Sequence, residues 1–173
     1  MFNSELYTPE TELERRIRDL KNHLGQNNID AALIMQRPDL FYFSGTVQQA
    51  SLFIPADGEP ILLAVKSSQR AMAESAIDRI VPITTPKKIP GILKQNGYDM
   101  PGTLGLELDV LPTNLYFYYQ SIFENSKIVD ISPLIRLIRS VKSSYEIGIM
   151  RRAAELSDQV AGCVPGIPAK PVK

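Results

Sequence analysis

Apolar residues along this chain follow two periods. Leu13, Ile17, Leu20 and Leu24 fall at i, i+4, i+7 and i+11, one stripe of an amphipathic helix over residues 8–24. Thr8 is placed to cap its first turn, and Pro9 fits the first helical position. Glu10 and Glu12 suit the positive end of the helix dipole, and Gly25 is a natural stop. The pattern then shifts. Residues 31–35 form a short, wholly apolar run, as expected of a strand buried on both faces. Arg37-Pro38-Asp39 interrupts it, and residues 41–43 read as a short strand or a helical turn ended by Ser44-Gly45. Residues 51–54 and 60–65 are strand-like and flank Asp57-Gly58, a hairpin signal.

Beyond the hairpin the periods alternate. Helices are predicted over residues 67–76, 87–95 and 112–123, and strands over 79–83, 104–108 and 127–131. Pro133 opens a short helix with Leu134, Leu137, Ile138 and Val141 on one face. Ser143 and Glu146 have the spacing of a capping box and start the last helix, on which Ile147, Met150, Ala154 and Ala161 suggest a buried stripe. From Gly162, a tail with Pro165, Pro168 and Pro171 supports neither a helix nor a central strand. A hairpin followed by alternating strands and helices predicts an α/β fold with a mixed sheet of five or six strands flanked by helices. The expected division is a domain over residues 1–142, with a junction helix and Pro-rich tail over 143–173.

Charge and composition narrow the function classes. Lys plus Arg equals Asp plus Glu at 19 each, so no basic excess marks a nucleic-acid or acidic-membrane partner. The longest apolar runs are strand-sized, and the first ten residues lack the basic start and apolar core of a secretory signal. The only cysteine, Cys163, cannot staple the chain, which favours a reducing cytoplasm.

Candidate chemistry is sparse. His23, the only histidine, sits beside the stripe of the first helix with no second ligand at metal-binding spacing, and reads as a solvated helix histidine. Glu107 and Asp109 are two apart at a strand end, where paired carboxylates can hold a cation or move protons. The structural reading, a turn residue or cap, is preferred there. Arg136, Arg139 and Lys142 read as a solvated basic face. Tyr116-Phe117-Tyr118-Tyr119 points around a whole helical turn, so part of it must reach the surface. Tyr116, Phe117 and Tyr119 are candidate interface residues, with core plus helix flank as the alternative. Neither a Gly-rich phosphate loop nor a nucleophile elbow occurs.

Three stretches carry a resemblance. Residues 30–34 with Asp39-Leu40-Phe41-Tyr42-Phe43-Ser44-Gly45 resemble a strand followed by a Tyr-Leu/Phe-Thr/Ser-Gly pattern. Gly105-Leu106-Glu107-Leu108-Asp109-Val110-Leu111-Pro112 resembles a G-x-E-x-D-x-L-P turn. Arg139, Lys142-Ser143, Glu146-Ile147, Met150-Arg151 and Ala153 match an R-x-x-K-S-x-x-E-I-x-x-M-R-x-A junction. Together they resemble the N-terminal domain of the creatinase, prolidase and Xaa-Pro aminopeptidase family over about residues 10–160.

The resemblance implies a ribonuclease H-like α/β fold. It also implies a homodimer in which this domain lines the neighbouring subunit's substrate cleft. The two divalent metal ions of family peptidases belong to a pita-bread catalytic domain in cis, beyond the junction helix. None of its five ligands has a match here, so no cofactor and no Xaa-Pro hydrolysis are expected of this chain alone. The segment matching the family's cleft loop is Thr46, Val47, Gln48 and Gln49, expected as an exposed loop after Gly45. A stand-alone peptide- or protein-binding module of the same fold is the alternative.

Overall fold

The computed structural model describes residues 7–163. They fall in two compact units, one ending at Ile138 and one beginning at Arg139. The first unit is built on a six-stranded sheet in the order β4-β3-β2-β1-β5-β6. Its strands are β1 (Ala31–Ile34), β2 (Ala50–Pro55), β3 (Ile61–Ala64), β4 (Ile80–Pro82), β5 (Thr103–Leu106) and β6 (Lys127–Asp130). The β1–β2 and β2–β3 pairs are antiparallel, whereas β3–β4, β1–β5 and β5–β6 are parallel. The sheet is therefore mixed, as the hairpin and the later alternation predict.

Period-two alternation divides the central strands between two cores. Ala32, Ile34, Leu52, Ile54, Leu62 and Ala64 face one side. There they meet Ile17, Leu20 and Leu24 of α1 (Glu10–Gln26), Leu40 and Phe43 of α2 (Arg37–Ser44), Ala71 of α3 (Ser68–Glu74), and Ile135 and Ile138 of α6 (Ser132–Ser140). Ala31, Leu33, Phe53, Leu63, Leu104 and Leu106 face the other side. They are covered by Ile89 and Leu93 of α4 (Ile89–Gln95) and by Tyr119 of α5 (Thr113–Ile122) with Phe123 just beyond it. Covering both faces removes water from the side chains of the central strands β1, β2 and β3 and explains why these runs are almost continuously apolar. Gly105 keeps β5 close to its neighbour, because a Cβ there would lie 2.4 Å from Ile131 Cγ2.

Local chemistry moves several predicted boundaries. Thr8 lies outside α1. Pro9 is the N-cap, and its carbonyl accepts from the N–H groups of Glu12 and Leu13 at 3.1 and 3.2 Å. Gly25 does not stop the helix, which runs to Gln26. Asn27 closes it by donating its side-chain amide to the His23 carbonyl at 2.8 Å, before Asn28 turns to φ 53°. Residues 41–43 are helical because Gln36 starts α2, its side-chain oxygen accepting from the Asp39 N–H at 3.2 Å.

The second unit is dominated by α7 (Ser144–Cys163). Its capping box forms as predicted: Ser143 N–H donates to Glu146 Oε2 at 2.8 Å, and Glu146 N–H donates to Ser143 Oγ at 3.1 Å. The stripe expected to be buried is not. Ile147, Met150, Ala154 and Ala161 are exposed, since this unit offers no second layer to cover a helix face. Cys163 ends α7, and the Pro-rich tail lies outside the described residues.

Candidate functional site

The loop after α2 is shaped by three short-range devices and one cross-strand bond. Gly45 takes φ 76°, the left-handed conformation that ends a helix, and its N–H donates to the Phe41 carbonyl at 2.8 Å. Ser44 Oγ donates to the Leu40 carbonyl at 2.6 Å and accepts from the Thr46 N–H at 3.3 Å. Thr46 Oγ1 accepts from the Gln48 N–H at 3.2 Å. The Gln49 carbonyl accepts from Val65 N–H at 2.8 Å, which delivers the chain to β2.

A fifth contact comes from a distant element. Glu74, at the end of α3, accepts from Thr46 Oγ1 at 2.6 Å and from Gln48 Nε2 at 3.1 Å. Arg70 Nε donates to the same carboxylate at 3.1 Å. Burial pushes the Glu74 carboxyl up, but the hydroxyl, amide and guanidinium donors outweigh it and hold it below the ordinary value. The loop expected to be exposed is thus split. Thr46 is fully buried, turned inward by its bond to Glu74, and Gln48 is half-buried for the same reason. Val47, 59% exposed, and Gln49 are left facing outward.

The stem of the loop is fixed by a buried ion pair. Arg16 Nε donates to Glu12 Oε1 at 2.8 Å, and Arg16 Nη1 donates to the Tyr42 carbonyl at 2.7 Å. The guanidinium lies 3.9 Å from the centre of the Tyr42 ring. Glu12, expected only to suit the helix dipole, and Arg16 are both buried, and Tyr42 of α2 covers the guanidinium.

The aromatic block divides as its helical spacing requires. Tyr119 is buried in the second core, which removes it from the candidate interface. Tyr118 packs beside it, their rings 5.7 Å apart. Phe117 is 60% exposed and Tyr116 half-buried, their rings 5.5 Å apart. Leu115 and Val110 are also exposed.

The carboxylate pair does not form. β5 ends at Leu106, and Glu107 turns inward while Asp109 pairs with Arg136. Glu107 Oε2 accepts from the N–H groups of Met35 and Gln36 at 2.7 and 2.9 Å. In a sheet of this kind the crevice beyond the carboxyl ends of adjacent parallel strands is where ligands bind. Here the Glu107 carboxyl supplies the acceptor oxygen that a ligand would otherwise offer to the two N–H groups at the β1–α2 turn. Of the basic face, Arg136 is engaged by Asp109, and Lys142 donates to the Arg139 carbonyl. His23 is half-buried on α1. Among the described residues no three His, Cys, Asp or Glu side chains group as metal ligands. The donor set therefore does not fit a two-metal centre. No helix among them is long and apolar enough to cross a membrane.

Comparison with known proteins agrees with this layout. The Creatinase/Prolidase N-terminal domain model matches residues 16–141. The Xaa-Pro dipeptidase of Pyrococcus horikoshii is 27% identical over 150 residues, covering 85% of this chain and 40% of that protein. The structure of the Xaa-Pro dipeptidase from Bacillus anthracis superposes with a TM-score of 0.74 at 19% identity, over 90% of this chain and 45% of that one. A separately solved creatinase/prolidase N-terminal domain of an X-Pro dipeptidase from Streptococcus pyogenes is covered over 97% of its length, with a TM-score of 0.60 at 19% identity and 70% of this chain. The chain thus spans about two-fifths of the length of the curated relatives it matches. With a family model over most of the first unit and a mixed sheet shared with those structures, the chain belongs to the creatinase/prolidase N-terminal domain family.

Proposed function

We propose that this chain is the non-catalytic N-terminal part of an Xaa-Pro dipeptidase- or aminopeptidase-like hydrolase, and that it shapes the substrate cleft of a paired subunit. Residues 1–142 form the cleft-shaping domain, and residues 143–173 lead toward a catalytic part that holds two divalent ions outside this chain. The observation that carries this reading is the clamped loop. Thr46 and Gln48 are tied back to Glu74, so the loop presents Val47 and Gln49 outward in a fixed shape. An apolar side chain beside an uncharged amide suits a peptide, which offers both side chains and backbone groups. The exposed surface of Phe117, Tyr116 and Leu115 suits the homodimer contact. A cytoplasmic setting goes with this reading, and a fold neighbour from Mycobacterium tuberculosis is described as a cytoplasmic peptidase.

The test places Val47→Ala and Gln49→Ala in the full-length polypeptide carrying this domain and compares short with long Xaa-Pro peptides. A loss of kcat/KM of about 2- to 10-fold on one length class, the worth of one modest contact, with unchanged stability, supports the reading. Equal activity on all lengths refutes it. Sedimentation equilibrium tests the dimer: Phe117→Glu should shift the full-length protein toward monomer.

A further inference from the structure

Glu107 is a buried acid that the cleft-shaping role does not use. It is 2% exposed, and its two oxygens have unlike surroundings. Oε2 accepts from Met35 N–H at 2.7 Å and Gln36 N–H at 2.9 Å. Oε1 is buried with no donor directed at it. The charged group that acts on Glu107 is another carboxyl, Asp39, in the first turn of α2. An ionised Glu107 would leave Oε1 without a bond and set two negative charges together in a poorly hydrated turn. A neutral Glu107 satisfies every group: Oε2 is the carbonyl oxygen that accepts, and a hydroxyl on Oε1 donates to Asp39.

We propose that Glu107 and Asp39 share one proton, and that this acid pair is a pH-sensitive lock holding the start of α2 against the end of β5. The other charged groups nearby are directed elsewhere. Arg37 on α2 is exposed, and the guanidinium of Arg136 on α6 engages Asp109. Asp130 at the end of β6 accepts from Leu108 N–H and from both Ser132 donors. Burial, the largest cause, together with the Asp39 charge pushes the Glu107 carboxyl up to about 8, against the opposing pull of the two N–H groups.

The sign follows from linkage. Between the ordinary value of 4.5 and about 8 the folded chain keeps a proton that the unfolded chain releases. Stability is therefore fully present below the unfolded value and falls as pH rises through this window. Above it, two ionised carboxyls face each other and the β1–α2 turn loosens. α2 leads directly into Gly45 and residues 46–49, so the lock couples pH to the loop's anchorage.

The experiment uses the chain itself. The 13C shift of the Glu107 side-chain carboxyl is titrated, and denaturant midpoints are measured from pH 5 to 9 for the wild type, Glu107→Gln and Asp39→Asn. The carboxyl should titrate well above the ordinary glutamate range. The wild-type unfolding constant should rise by on the order of a hundredfold between pH 5 and 8. Glu107→Gln, whose amide mimics the protonated acid, should remove that slope, and Asp39→Asn should lower the Glu107 titration point. The protection factors of the Met35 and Gln36 amides, with the base-catalysed rise of intrinsic exchange divided out, should fall across the same window in the wild type alone. If Glu107→Gln fails to fold, the wild-type titration and Asp39→Asn still decide. A Glu107 carboxyl titrating at its ordinary value, or a stability slope that persists in folded Glu107→Gln, overturns the lock.

Discussion

Thr46 shows how a single hydroxyl can decide what a loop displays. Its Oγ1 donates to Glu74 and accepts from Gln48 N–H, so one side chain ties the loop to α3 and stiffens its own backbone. Thr46→Val keeps the shape and removes both bonds. The Glu74 carboxylate, which is largely buried, then loses its shortest donor. Denaturant titration at neutral pH should show a loss of about 1.5–3 kcal/mol, the usual worth of a hydrogen bond to a charged group. The pH dependence gives a second readout. Glu74 is held below its ordinary value, so its contribution is present above that value and is lost as pH falls through the folded one. Thr46→Val should shrink this acid limb of the stability curve. An unchanged midpoint would mean that the Thr46 bond contributes nothing net. The inward turn of Thr46 was not legible in the sequence, because its partner lies 28 residues away. Glu107 was singled out with Asp109, but its inward role was hidden for the same reason: its donors are 71 and 72 residues distant, and an acid after an apolar strand looks like any turn residue.

Elements were legible where their signals are local. The α1 stripe, the Asp57-Gly58 hairpin and the Ser143/Glu146 box each depend on residues within a few positions of one another, and each forms. α2 was ambiguous because its periodicity covers only eight residues, and what decides it is the Gln36 side-chain cap. The ends of α1 were misread because Pro9 can serve as N-cap through its carbonyl alone, and because Gly25 fits inside a helix whose last turn Asn27 closes. The α7 box is the clearest element-scale test. Ser143 Oγ accepts from Glu146 N–H as one half of the reciprocal pair, and the helix behind it has an exposed apolar stripe that adds little stability here. Ser143→Ala should lower α7 stability by about 0.5–2 kcal/mol, the range for a lost N-cap. Circular dichroism during denaturant titration would register it as earlier loss of helix signal. No change would mean that Glu146 alone holds the helix start.

At the scale of the whole molecule, the strand order, the two cores and the filled crevice have a joint consequence. A two-metal hydrolase converges carboxylates and histidines on a shared pair of ions, a few ångströms apart, in a water-accessible cleft. In this sheet the crevice at the carboxyl ends of β1 and β5 is closed by Glu107, whose accepting oxygen is already used by two backbone N–H groups. Asp109 is spent on Arg136, Asp130 on Leu108 and Ser132, and Glu74 on the candidate loop. These four acids are thus committed to holding turns and the candidate loop, and the chain's single histidine lies on α1 without a ligand partner among the described residues. Elemental analysis of the dialysed chain should therefore find less than about one tightly held transition metal per molecule, the least an occupied site requires. The same protein, supplemented with Mn or Zn and free of contaminating peptidase, should not hydrolyse a Pro-containing dipeptide or tripeptide, since among the described residues no group of His, Cys, Asp or Glu is placed to hold the metal that would activate a nucleophile. A stoichiometric pair of bound ions, or turnover that survives repurification, would mean that residues outside the described part complete a site. Activity that appears only when a metal-binding part is joined beyond α7 is the outcome expected of the proposed cleft-shaping role.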